Sequence, residues 1–346
     1  MTLASTFRVG IIGCGAIAER LHVPDYAVCP EAEIVAMCDV NVARARYLAD
    51  RFARGARVYG DYRVMLKKEK LDGVTVVLPN YLHAPVTIDA LDAGCHVMVD
   101  KPMATTAVEC RRMIAAAKKN KRLLMVNQSQ RRFAPHRKAK EVVDSGILGN
   151  ILHVTAMFGH EGPEHWSPTG KWFFRKDRAR FGAMADLGVH KADLLRWLTG
   201  KEVAEISAYA ARLEKRGADV EDNFVSCLKF TDGTVGTLCA SWTIKGMNAN
   251  YIILHCENGT LQVGLQDHKP VLARLANPEC EIVFDVPPPL NDYPDTWGLD
   301  VSGNFVRAAI GLEEPFCTGE EGMKSLEIIF AAEKSFLTGR SVKLRH

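Results

Sequence analysis

The first 128 residues alternate between short apolar runs and longer stretches of mixed polarity. Residues 8–12, 33–38, 73–78, 96–99 and 123–126 are runs of four to six residues rich in Val, Ile, Leu and Met. Between them, 16–26, 41–52, 84–93 and 107–119 carry helical patterning, and Gly94 stands where a helix-ending glycine belongs. Short buried strands alternating with helices predict a parallel sheet with right-handed crossovers, a doubly wound α/β domain of Rossmann type. Past residue 128 the rhythm changes. Residues 151–158, 206–211, 223–230, 234–243, 251–256, 260–263, 271–275 and 282–286 read as strands. Turn signals at Thr231-Asp232-Gly233, Asn258-Gly259 and Pro287-Pro288-Pro289 punctuate them. Consecutive strands joined by short turns predict an open, mainly antiparallel sheet. A helix over 320–336, closed by Gly339, ends the chain. The expected division is 1–128 and 129–346.

Composition narrows the possible roles. The 346 residues are 47% hydrophobic and 25% charged, ordinary for a globular protein with a full core. Forty-four Lys and Arg against 41 Asp and Glu leave a net charge of +3, too near neutral for a dedicated nucleic-acid or membrane-surface binder. No stretch approaches the ~18 uninterrupted apolar residues of a spanning helix, and the N-terminus lacks the pattern of a secretory signal. Ten cysteines without a C-x-x-C pair read as reduced thiols, which places the protein in the cytoplasm. An open sheet would expose a half-apolar face of the kind another subunit covers, so a homodimer or homotetramer is expected.

The strongest local signal follows the first run. Gly13-Cys14-Gly15-Ala16-Ile17-Ala18 is G-x-G-x-x-A, with a strand before it and a helix after it. Gly13 permits the tight turn, Gly15 lets the backbone approach a diphosphate, and Ala18 lets the helix lie on the strand. The diphosphate would rest on free amides at the helix N-terminus, and Ala16 and Ile17 belong to that cradle. Asp39 closes the second run, where a carboxylate accepts hydrogen bonds from the adenosine ribose and repels a 2′-phosphate. The cofactor is therefore read as NAD rather than NADP, with Arg44 and Arg46 the residues that soften that preference.

Two further segments carry a resemblance. Leu78-Pro79-Asn80-Tyr81-Leu82-His83 follows the third run and Asp100-Lys101-Pro102 the fourth; Asp186-Leu187-Gly188-Val189-His190 lies in the second half. Together with the glycine turn, these resemble the P-N-x-x-H, E-K-P and D-x-G-x-H motifs of the glucose–fructose oxidoreductase / inositol dehydrogenase family, often written Gfo/Idh/MocA. The resemblance covers nearly the whole chain. It implies a dinucleotide-binding domain at 1–128, a substrate-binding and oligomerisation domain at 129–346, and oxidation of a secondary hydroxyl of a sugar or inositol to a ketone. It implies cofactor contacts from Pro79, Asn80, His83, Asp100, Lys101, Pro102 and Asn127, and from Trp172 and Arg175, which resemble the family's W-R pair. Lys101 would stabilise the alkoxide-like oxygen. His190 would take the hydroxyl proton, with Asp186 orienting it.

Two departures stand out. Asp100 replaces the usual Glu, and Phe181-Gly182-Ala183-Met184 is bulkier than the usual glycine-rich run. Asp186, His190 and Asp193 are spaced i, i+4 and i+7, which predicts one shared helix side and makes Asp193 a candidate substrate contact. His160, in His160-Glu161-Gly162-Pro163-Glu164-His165, is a second one; the central Gly-Pro breaks any helical zinc motif, so no metal is expected. The basic run Arg131 to Lys138 reads as a solvated helix face. Three rival readings share these residues: an NADPH-dependent sugar reductase, an NAD-dependent glycosidase working by transient ring oxidation, and a non-enzymatic dinucleotide sensor. Retention of Lys101, Asp186 and His190 together argues against the last.

Overall fold

The computed structural model describes residues 6–167, 170–247, 249–286 and 297–345. Its first sheet is built from β1 (Phe7–Ile12), β2 (Ala32–Cys38), β3 (Arg57–Tyr59), β4 (Gly73–Val76), β5 (His96–Asp100) and β6 (Leu124–Asn127). The strands are parallel in the order β3-β2-β1-β4-β5-β6. Every residue of β4 and β6 is buried, as strands covered on both faces must be. After β1 a π-turn over Ala18–His22 runs into α1 (Val23–Ala27). The remaining crossovers hold α2 (Val42–Phe52), α3 (Tyr62–Lys68), α4 (Asn80–Asp92) and α5 (Ala107–Asn120). Side chains start these helices: Asn41 accepts from the Arg44 amide (3.3 Å), and Thr106 accepts from Glu109 (3.2 Å) while the Glu109 carboxylate reaches back to the Thr105 amide (3.1 Å). The short pair β3 and α3 carries too few apolar residues to stand out by pattern.

The second sheet contains β7 (Ile151–Gly159), β8 (Val203–Ala211), β9 (Asn223–Phe230), β10 (Val235–Ser241), β11 (Ala249–Cys256), β12 (Gly259–Gln266), β13 (Lys269–Ala276) and β14 (Glu279–Val283). With them run α6 (Ala134–Asp144), α7 (Lys176–Ala179) and α8 (Val189–Thr199). Then come α9 (Val301–Ala309), α10 (Gly319–Thr338) and a last edge strand, β15 (Val342–Lys343). The order is β14-β13-β12-β11-β7-β10-β9-β8-β15. All pairs are antiparallel except β7 with β10, so the sheet is mixed. The exception has a plain cause: β7 and β10 are separated by a long excursion through α8 and the β8–β9 pair, and only a crossover lets neighbours run parallel. One face carries Val154, Ala156, Ile252 and Leu254, all buried, with α8 packed on β7 and α6 on β12 and β13. The other presents a row across five strands, Tyr209, Val225, Cys239, Met157 and Tyr251, in which Tyr209 is 82% exposed. The expected turn at Pro287-Pro288-Pro289 lies outside the described residues.

Two compact units interleave along the chain: 1–129 with 289–323, and 130–288 with 324–346. Residues 289–323, read from sequence as part of the second domain, therefore belong to the first unit. The Val301 amide donates to Asp25 (2.8 Å), Ser302 donates to the His22 carbonyl (3.1 Å), and the Phe305 ring meets Phe7 edge-on at 6.0 Å. Phe305 thereby joins Val9, Ile11, Met37 and Leu48 in the core of that unit. Burial of such side chains contributes roughly 1.5–3 kcal/mol each, enough to draw a distant segment back.

Candidate functional site

In the first unit the candidate residues follow the carboxyl ends of successive parallel strands, the edge where wound sheets bind ligands. Gly13 follows β1 with φ +97°, and a Cβ there would lie 2.0 Å from the Val77 carbonyl oxygen, so only glycine fits. Gly15 is different. A Cβ there would meet nothing within 4 Å, so the space beside its backbone is open to a ligand group. Ala18 is fully buried, which lets the helix lie against the sheet. Asp39, just past β2, accepts the Cys14 amide on one oxygen and the Asn41 amide on the other, both at 2.8 Å. Arg44 donates to the Cys14 carbonyl (2.8 Å) and pairs with Glu19. Burial works to raise the Glu19 carboxyl, but the Arg44 guanidinium outweighs it and holds the group below its ordinary value. Asp39 and Arg44 thus grip the two peptide units on either side of Cys14 in the glycine turn; Arg46 is exposed.

Pro79 caps α4, so Asn80 and His83 lie in the first turn of that helix. His83 is buried, with its ring nitrogens 2.8 Å from the Pro102 carbonyl and 2.7 Å from the Leu78 carbonyl. The ring thus lies between the end of β4 and the Lys101–Pro102 bend. Asp100 ends β5 and also turns inward. One of its oxygens accepts from the Asn127 side chain (2.9 Å) and from the Lys101 amide (3.0 Å). The Asn127 nitrogen lies 3.2 Å from the His22 ring as well. The shorter carboxylate at position 100 therefore holds the main chain of Lys101. His22, which sequence reasoning passed over, backs this clamp; a polar residue in the helix after the glycine turn was its only signal. Lys101 itself is half-buried at the end of β5.

In the second unit a π-turn over Met184–Gly188 leads into α8. Asp186 accepts from the indole of buried Trp242 (3.0 Å), and the His190 ring packs 5.8 Å from Phe158. Glu221 holds this segment from below. Its carboxylate accepts the Gly182 amide (2.8 Å) and the Met184 amide (3.0 Å), and its carbonyl accepts from Ala183 (3.1 Å). A Cβ at Gly182 would sit 1.8 Å from that carbonyl oxygen, which explains the one glycine kept in the bulkier run. Burial pushes the Glu221 carboxyl up to about 7, against the pull of these amides. Trp242 and Glu221 were not legible as site residues, because each acts through a neighbour distant in the chain.

Asp193 does not share the role expected for it. It is 1% exposed, forms a two-pronged pair with Arg131 at 2.7 Å on each prong, and accepts from Ser325 (2.9 Å). Arg131 is 5% exposed and His136 is buried against the Gln130 carbonyl (2.7 Å), so the basic run is not a solvated face. Asp193→Ala is expected to destabilise the protein by about 3–5 kcal/mol, because it leaves a buried guanidinium without its partner. Urea unfolding measures this, and a loss under about 1 kcal/mol would show that the pair is dispensable.

His160 follows β7 and accepts the Gly162 amide on Nδ1 (2.9 Å), with its ring against Phe158. Trp172 stacks on Phe173 with ring centroids 3.8 Å apart, and Arg175 is exposed beside Asp177 and Asp219. Among the described residues no cluster of three or more His, Cys, Asp or Glu side chains could hold a metal ion, and no helix is long and apolar enough to cross a membrane.

Family models match both parts of the chain. Residues 7–128 match the model of an oxidoreductase family with an NAD-binding Rossmann fold, and 136–262 match the GFO/IDH/MocA C-terminal domain. A D-glucoside 3-dehydrogenase of Escherichia coli is 30% identical over 70% of this chain and 72% of its own. A 1,5-anhydro-D-fructose reductase of Ensifer adhaerens is 27% identical over 97% of this chain and 98% of its own. Among solved structures, the WlbA dehydrogenase of Bordetella pertussis, in complex with NADH and UDP-GlcNAcA, superposes with a TM-score of 0.84 at 27% identity, covering 99% of both chains.

Proposed function

The chain belongs to the GFO/IDH/MocA oxidoreductase family, and on that premise we propose that it is an NAD-dependent dehydrogenase oxidising a secondary hydroxyl of a sugar or inositol-like polyol to a ketone. The observation that carries the reading is the glycine turn. Gly13 closes against Val77, Gly15 leaves open space, and Asp39 is pinned to the Cys14 amide beside it. These residues fit a dinucleotide, with the diphosphate along the backbone at Gly15 to Ile17 and the adenosine ribose at Asp39. NAD, when bound, supplies the two-electron acceptor. The chain's own residues handle the oxygen and its proton. The Lys101 ammonium donates to the reacting oxygen and stabilises the negative charge that grows there. The His190 ring takes the hydroxyl proton, and Asp186, braced by Trp242, orients that ring or a neighbouring substrate hydroxyl.

NAD is favoured over NADP for two reasons. The Asp39 carboxylate repels a 2′-phosphate, and Arg44, the nearest cation in sequence, is committed to Glu19 and the Cys14 carbonyl. Asp39→Ser is therefore expected to weaken NADH binding by about one to two decades and to improve NADPH binding, since a charged hydrogen bond is worth roughly 1.5–3 kcal/mol. Fluorescence titration with both cofactors is the check; unchanged NADH affinity with no gain for NADPH would remove Asp39 from the cofactor site. Activity itself is tested by scanning inositols and pyranoses for NADH absorbance, and a silent panel with NAD would count against the dehydrogenase reading. A second reading is an NADPH-dependent sugar reductase; the Ensifer relative's name, a reductase, supports the direction of reaction alone, and the same panel run in reverse separates the two. The reading includes a homo-oligomer closed over the Tyr209–Tyr251 row, so light scattering should return at least a dimer mass.

A further inference from the structure

One titratable group beside the second-unit residues has no task in that scheme. Lys191 follows His190 on α8, is 0% exposed, and its ammonium nitrogen has no hydrogen-bond partner among the described residues. Buried lysines ordinarily find a carboxylate, and each carboxylate on this helix and its entry is already taken. Asp193 is held by Arg131 and Ser325, and Asp186 by Trp242. The Lys191 nitrogen lies 5.6 Å from the centroid of the Phe158 ring, and the same ring lies 5.8 Å from the His190 ring. Phe158 is thus the shared wall of a cationic group and the candidate base.

We propose that Lys191 is a positioning residue: its buried, uncompensated charge disfavours the imidazolium form of His190 and keeps that ring neutral and able to accept a proton. The inference rests on the reading of His190 as the base only for its catalytic consequence, not for the electrostatic coupling itself. A like charge nearby always disfavours a second one, and low local polarisability lengthens its reach. The Asp186 carboxylate keeps its negative charge, since its indole partner is neutral, and works on His190 in the opposite sense to Lys191. His136 on α6 is itself driven down to about 3, by burial first and by Lys191 second. His160 after β7 is an acceptor for a backbone amide. On α8, Arg196 is matched by Glu202 as Asp193 is by Arg131. Burial brings the Lys191 amine down to about 7, so its charge is present in the acidic to neutral range and fades as pH rises beyond it. That range spans the ordinary titration of an imidazole.

The experiment follows histidine ring signals of the full chain by NMR across pH, with His190 assigned by its disappearance in His190→Asn. Lys191→Met removes the charge while keeping an unbranched apolar side chain; Lys191→Arg keeps a charge at that place at every pH. A unit charge roughly 10 Å away at an effective dielectric of about 20 moves a titration by about one unit. In Lys191→Met the His190 midpoint should therefore rise by about that much relative to wild type, and in Lys191→Arg it should not rise. An unchanged midpoint in Lys191→Met overturns the proposal. So does an equal rise in both variants, which would mark a packing effect. Pairing the titration with pH–rate profiles separates the two readings. A shifted His190 midpoint without a matching shift of the activity limb would leave the coupling standing and remove His190 as the base.

Discussion

Replacing His190 with Asn is expected to lower kcat by about 10²–10⁴ and to erase the rise of activity with pH that a neutral imidazole base imposes. In the oxidative direction the ring must arrive unprotonated to accept the alcohol proton, so the rate climbs as imidazolium is lost. Asn keeps a hydrogen-bonding side chain of similar size against Phe158, while Asp186 remains held by the Trp242 indole at 3.0 Å. What disappears is the proton affinity near neutral pH. The measurement is a pair of pH–rate profiles, taken after NADH titrations show that both proteins bind the cofactor equally. If the variant keeps the same rising limb at similar amplitude, His190 is not the base, and Asp186 or Lys101 becomes the group to test.

Lys101→Ala should lower kcat by about 10²–10³ while leaving NAD affinity nearly intact. The ammonium acts on charge that develops as the carbon is oxidised, so its loss belongs in kcat more than in KM. The fold around it gives this variant a clean reading. The Lys101 amide is fixed by Asp100 at 3.0 Å, Asp100 is clamped by Asn127 at 2.9 Å, and the His83 ring ties the following bend to the end of β4. The main chain at 101 is thus held by the Asp100 carboxylate and, through the following bend, by the His83 ring. Steady-state kinetics on an active sugar or inositol, beside NADH titration, is the check; normal turnover would take Lys101 out of the chemistry.

The hydrogen bonds of the first unit also say how much of the departure at position 100 matters. With Asp in place of Glu, the carboxylate stays buried on Asn127 and the Lys101 amide. A longer side chain at that place would have a methylene more of reach. The consequence is that the Asp100 carboxylate holds the main chain at Lys101. His22 and Asn127 complete that hold from β6 and from the π-turn after the glycine loop.

The chain's local chemistry determined most of the elements and the glycine turn, because each depends on features a few residues long. A tight turn at positive φ demands Gly13 wherever it occurs, and apolar runs of four to six residues between helical stretches have one economical arrangement, the wound parallel sheet. The motif order then carried the family and the candidate residues Lys101, Asp186 and His190. Tertiary structure alone decided the partners. Asp193 meets Arg131 and Ser325 across 62 and 132 residues of sequence, and Glu221 reaches the Gly182 amide across 39. The same holds for the return of residues 297–309 to the first unit and the parallel pairing of β7 with β10. Periodicity reports which face of an element is buried but carries no information on what it is buried against. A charged side chain therefore reads alike from sequence whether it faces substrate, solvent or a buried partner, and only the packed fold distinguishes them.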